Sequence, residues 1–119
     1  MAAPNIVNVA TITGKTAVAN VSTVAADIIT NSAASGKVFK VNSLVISNID
    51  GASGADITAS VYRSSIEYKV AHTITVPADA ALVVISKDTS IYLEEGDAIR
   101  LTASANGDLQ AVCSYEEIS

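Results

Sequence analysis

Apolar and polar residues alternate with a period of two along most of the chain, the spacing of strands with one face turned to a core. Over residues 66–74 the alternation is cleanest, with Ile66, Tyr68, Val70, His72 and Ile74 on one face and Glu67, Lys69, Ala71 and Thr73 on the other. Ile57, Ala59 and Val61 alternate with Thr58, Ser60 and Tyr62, and Leu109, Ala111, Cys113 and Tyr115 predict the inward face of a last strand. Between them, residues 91–103 form the segment around which the rest is organised. Ile91-Tyr92-Leu93, the acidic turn Glu94-Glu95-Gly96-Asp97 and an alternating run carrying Ile99, Leu101 and Ala103 predict a strand-turn-strand unit.

Elsewhere the punctuation is supplied by turn residues. Residues 5–13 read as a first strand ended at Gly14-Lys15, with apolar groups on both parities, as in a strand covered on two sides or bulged. Residues 16–30 favour strand over helix through Val18, Val21, Val24, Ile28 and Ile29. A polar loop at 31–36 precedes the longest extended run, 37–48, which ends in a turn built on Asp50-Gly51 and Gly54. Arg63-Ser64-Ser65 returns the chain, and Pro77 interrupts the ladder. The nearly all-apolar 81–85 predicts a short central strand, 86–89 a polar turn, and Asn106-Gly107 a two-residue hairpin. All six Gly fall at inferred turns. The expected fold is all-β, an antiparallel β-sandwich or jelly roll of about eight strands. A single domain spans residues 1–119, with 1–13 as a contact arm or edge strand.

Composition sharpens this picture. The chain holds 20 Ala, 14 Val and 13 Ile against 5 Leu, 1 Phe and no Trp. β-Branched side chains favour sheet, while so few bulky residues make a thin core that association with other copies or surfaces would reinforce. The net charge of −5 is uneven: in residues 1–62 Lys15, Lys37 and Lys40 balance Asp27, Asp50 and Asp56, and the whole acidic surplus lies in residues 63–119. With no Lys/Arg cluster, nucleic acid is not an expected partner. No apolar stretch approaches the ~20 residues of a membrane helix, and the first residues lack the pattern of a secretory signal. One cysteine, Cys113, permits no internal disulfide and suits synthesis in a reducing cytoplasm.

Candidate chemistry is sparse. Gly14-Lys15-Thr16 has the tail of a phosphate-binding loop, but the earlier glycine would fall at position 9, which is Val9. His72 and Cys113 are the one possible Cys/His pair; each reads better as an edge or packed histidine and an inert core thiol. The Asp50–Asp56 loop brings two carboxylates near Gly-rich backbone, yet it lacks the acids of a calcium loop. Glu94, Glu95 and Asp97 read as a solvated loop tip rather than an acid/base group. Asn20-Val21-Ser22 fits the N-glycosylation rule, which has no meaning without a secretory route. No catalytic, cofactor-binding or metal-binding residue is predicted, and an enzyme is not expected.

Placed on these strands, KVFKVNSLVISNIDG at 37–51, Ile74-Thr75-Val76-Pro77-Ala78, IYLEEGD at 91–97 and SYEEIS at 114–119 resemble small virion structural proteins of tailed phages, particularly marine and cyanobacterial phages. The resemblance covers residues 37–119. It implies a β-sandwich or jelly-roll subunit made in the host cytoplasm, present in many copies in the virion and free of enzymatic residues. Its expected partners are further copies of itself, as a trimer, and the major capsid or other virion proteins. The leading expectation is a capsid decoration or cement protein, with residues 5–13 as its contact arm and the 94–97 turn as an outer or subunit-facing loop. The alternatives are a neck, tail or baseplate component and a carbohydrate-binding adhesion module, the last weakened by the lack of Trp.

Overall fold

The computed structural model describes residues 10–119. Its strands are β1 (Ile12–Val21), β2 (Ala26–Thr30), β3 (Val38–Asn48), β4 (Ala55–Arg63), β5 (Ile66–Val76), β6 (Ala81–Ile85), β7 (Ile91–Leu93), β8 (Ala98–Ala103) and β9 (Leu109–Ile118). They form two antiparallel sheets packed as a sandwich. One runs β1-β9-β3-β6, with β7 also on β3, and the other β2-β8-β4-β5. The pairs β1 with β9, β2 with β8, β3 with β6 and β7, and β4 with β5 are those of one long hairpin rolled over on itself, which is the jelly-roll arrangement. β6 and β7 share one strand position, interrupted by a 3₁₀ turn at Lys87–Thr89 that Ser86 and Thr89 cap reciprocally.

Several expectations change at the level of strand partners. β1 begins at Ile12 and runs unbroken through Gly14-Lys15, because each of its ten residues has an opposite number on β9. Gly14 is therefore a mid-strand residue. Most of the expected first strand and contact arm falls in residues 1–9, outside the described residues. β6 is an edge strand rather than a central one; its apolar run reflects Leu82 packing on the core and Val83 pointing outward. Asn106-Gly107 does not close a hairpin, since β8 and β9 lie in different sheets. The same holds for the 94–97 turn, which carries the chain from β7 in one sheet to β8 in the other.

The even alternation of 66–74 is broken by register shifts against β4 between Ile57 and Ser60 and by Thr73, whose φ of 48° is left-handed. Ala71 is thereby brought onto the core, beside Ala59, while Ile66, Tyr68, Val70 and Ile74 stay exposed. A shift at Asn42 likewise explains the two parities of β3: Phe39 and Val41 face inward before it, Leu44 and Ile46 after it. Leu44, Ile46, Ile57, Val76, Leu93 and Cys113 are fully buried at the centre. Phe39 and Tyr115, with ring centroids 5.3 Å apart, close the core at one end.

That end is locked by Asp97, which is 1% exposed despite its acidic neighbours. The solvated tip expected of 94–97 is in fact a junction. Arg63 Nε and Nη2 donate to the two Asp97 carboxylate oxygens, the first at 2.8 Å, and the Glu94 N–H donates to Asp97 Oδ2 at 2.9 Å. Glu94 also accepts from Arg63, and Glu95 from the Gly36 N–H. Buried Asn31 exchanges backbone bonds with Gly96 and Asp97, while its side-chain amide donates to the Lys37 and Leu93 carbonyls. Burial alone would push the Asp97 carboxyl up, but the Arg63 guanidinium and the Glu94 N–H together hold it below the usual carboxylate range.

Ser64 and Ser65, with φ of 52° and 62°, join β4 to β5 by a two-residue turn that Asn-Gly fits best. Combining Ser64→Asn with Ser65→Gly should raise unfolding stability by about 1 kcal/mol and the melting temperature by several degrees. Arg63→Ala leaves a buried carboxylate without its cation and should cost about 3 kcal/mol at neutral pH. Asp97 stabilises the wild type fully above the ordinary carboxylate range, and this is lost as pH falls through its lowered value. In the variant only the Glu94 N–H still opposes the effect of burial, and protonation removes the uncompensated buried charge. The gap between the two proteins in urea melts should narrow as pH falls, and a constant gap would contradict the assignment.

Candidate interaction face

The residues singled out for chemistry are not brought together. His72 is exposed on the edge strand β5, whereas Cys113 is buried on the inward face of β9 in the other sheet. Burial pushes the Cys113 thiol up to about 11, so it stays protonated and unreactive at neutral pH. Gly14-Lys15-Thr16 lies in extended β1, where successive N–H groups point in opposite directions and form no phosphate cradle. In the Asp50–Asp56 loop, Asp50 accepts from the Ala52 N–H at 2.8 Å and Asp56 from the Thr75 hydroxyl at 2.7 Å. Among the described residues no three His, Cys, Asp or Glu side chains are placed to hold a metal ion.

The two outer faces of the sandwich differ sharply in character. On the β2-β8-β4-β5 sheet, Asp27 accepts from Arg100 at 2.9 Å, Arg100 lies 3.5 Å over the Tyr62 ring, and Lys69 pairs with Glu67. This face carries charge throughout. On the β1-β9-β3-β6 sheet, the register places Val18 opposite Val112, Val112 opposite Val45, and Val45 opposite Val83. Four valines thus form one row crossing the sheet from edge to edge, with Val18 72% and Val83 59% exposed.

The row is bordered on one side by Thr16, Ser114 and Ser43, and on the other by Asn20, Gln110, Ser47 and Ala81. None of these eleven residues is charged; charge resumes at Glu116 and Lys40, in the next row. Gln110 donates to Asn20 at 3.0 Å, tying the amide border together. Between β1 and β9, the face holds a shallow depression of ≈ 390 Å³ over Val18, Asn20, Gln110 and Val112. Of the four valines, only Val112 was visible in the sequence as outward, opposite in parity to Leu109, Ala111 and Cys113. Their alignment was not, because it depends on the registers of three strand pairs.

A second apolar feature lies where the sheets part on the β5 side. Val61, Arg63, Tyr68, Ile91 and Tyr92 line an open cleft of ≈ 320 Å³ there. Arg63 is already engaged by Asp97 and Glu94, so the one charged group of the cleft is not free. The valine face is the broader surface and the one without charge.

No protein-family model matches the sequence, and no curated protein matches it. Among solved structures, the chain is similar to one from the Bacillus endospore appendages, described as a novel family of disulfide-linked pili. The identity is 15% over 92% of this chain and 88% of that one, with a TM-score of 0.52. It also aligns with the nucleoplasmin-like N-terminal domain of Drosophila FKBP39, at 14% identity over 87% and 85% of the two chains and a TM-score of 0.44. At these identities the first likeness is one of fold alone.

Proposed function

We propose that this protein is a repeating structural subunit that coats or cements a larger protein shell, with the valine-crossed face of the β1-β9-β3-β6 sheet turned toward that shell. The observation that carries the reading is the absence of charge from three consecutive rows of an exposed sheet, in a chain whose net charge is −5. Covering the four adjacent valines is favourable, and the uncharged polar rows beside them can be desolvated without leaving an ion unpaired. The specific shell follows from the family resemblance: a tailed-phage capsid, on which the subunit acts as a decoration or cement protein. Binding only the assembled lattice would stabilise that lattice by mass action.

The test is cosedimentation of the purified chain with capsids that lack it. Wild type should bind, and Val112→Lys, which sets a cation in the middle of the face, should weaken binding by about tenfold or more. Val112 is 42% exposed, so the variant should keep its melting temperature to within a few degrees. A wild-type chain that fails to bind any such shell, or a Lys variant that binds as well as wild type, would remove the proposal.

A further inference from the structure

A jelly roll has four sheet edges, and three of these are shielded against pairing. β2 is five residues long and carries a register shift at Asp27/Ile29. β5 is bulged against β4 and kinked at left-handed Thr73. β6 is again five residues, followed by the 3₁₀ turn. Short strands and bulges are the usual means by which edges avoid one another.

β1 has none of these. It is ten residues long, contains no proline, and pairs with β9 without a single register shift. Among the described residues no strand pairs with its other side. About half its residues therefore point both N–H and C=O outward along a straight edge. Its one charge, Lys15, would ordinarily guard such an edge. Instead, its ammonium is drawn to Glu117 at 2.9 Å, a carboxylate that also takes Lys37.

We propose that β1 is the seam through which two copies of this chain pair, antiparallel and edge to edge, with Val18 on the two-fold axis. Outward residues must meet outward residues, so the symmetric registers are those that place one residue opposite its own copy. Centring on Lys15 would oppose two like charges. Centring on Val18 sets valine against valine, Thr16 against Asn20 and Ala17 against Ala19, and it separates the two Lys15 by about 20 Å along the strands. The row of four valines then continues through the axis as a row of eight on one continuous sheet. This pairing would double the face assigned above to shell contact but does not depend on that assignment. It gives a dimer in place of the trimer implied by the family resemblance.

The test uses the full chain alone. Its mass in solution in the tens-of-micromolar range should be twice the 12.1 kDa of one chain; a monomer or a trimer overturns the proposal. Val18→Cys should form an intermolecular disulfide on oxidation, because directly opposite strand residues lie within bridging distance and Cys113 is buried. Ile12→Cys is similarly exposed but would stand about 40 Å from its copy, and it should not cross-link. Val18→Lys and Val18→Glu should each be monomeric, and mixing them should restore a dimer. Failure of Val18→Cys to cross-link, or a Lys variant that remains dimeric, overturns the seam. Val112→Lys should leave the dimer intact, so loss of shell binding and loss of pairing are read separately.

Discussion

Asp97 is the one charged side chain fully buried among the described residues, and one end of the sandwich is arranged to keep it ionised. Its carboxylate faces Arg63 at the end of β4, its backbone meets Asn31 after β2, and Glu94 after β7 donates to it. Asp97 thus ties the loop leaving β7 to β4 of the other sheet, while Asn31 ties the loop leaving β2 to Leu93 of β7. A buried ion pair is weak evidence of net stability, since removing a carboxylate from water costs several kcal/mol before any attraction is recovered. Its physical effect here is alignment. Arg63 remains about half exposed, so its charge stays partly solvated while the fork of its guanidinium fixes where the 94–97 turn must sit. Buried Asn48 has the corresponding place at the other end, donating to the Ser53 and Val76 carbonyls and accepting from the Asp50 N–H. A core of Ala, Val and Ile packs with little shape to distinguish one sheet offset from another, and these polar pins supply the distinction.

Local structure was largely legible in the sequence because strand alternation is a local property. The extent of β3, the middle of β4, the first part of β9, the break at Pro77 and the inward set Leu109, Ala111 and Cys113 were all readable from it. What escaped was the assignment of strands to sheets. Gly96 and Gly107 have positive φ whether the turn closes a hairpin or crosses to the opposite sheet, so composition could not tell a hairpin from a corner. Asp97 was missed for another reason. Its acidic neighbours suggested a loop tip, yet it shares the parity of Ile99, Leu101 and Ala103, the core face of β8, and extending that face two residues back would have placed it inside. The interaction face was barely visible: Val112 sits opposite in parity to the inward set of its strand, but Val45 turns outward only through the shift at Asn42, and only the registers show the two side by side.

The distribution of charge separates the two sheets as surfaces. Asp27, Arg100, Glu67 and Lys69 neutralise one another across the β2-β8-β4-β5 face, in a geometry that stays hydrated. Screening at physiological ionic strength confines the influence of such pairs to within about 8 Å. The three valine-centred rows of the opposite face have no charges to hydrate, and any charged partner surface laid on them would lose its water without gaining an ion in return. On the proposed reading, this restricts the partner to an equally uncharged surface.

Exposed valine and an unshielded strand edge are both liabilities for a soluble sheet, and proteins ordinarily suppress each of them independently. Here both occur on the same sheet and meet at one residue, since Val18 is at once the end of the valine row and the outward-facing middle of β1. The other three edges show that this chain readily accommodates bulges and short strands, so the straightness of β1 is not a limit of the fold. Nor does packing against the core require it along its first half, because Thr13 and Lys15, on its inward parity, are exposed. A ten-residue strand with so little buried side chain is held in place chiefly by its ladder to β9, and it stands to gain most from a second ladder on its open side. The physical case for the seam is that β1 needs a neighbour more than any other strand in the sandwich and is the least prevented from taking one.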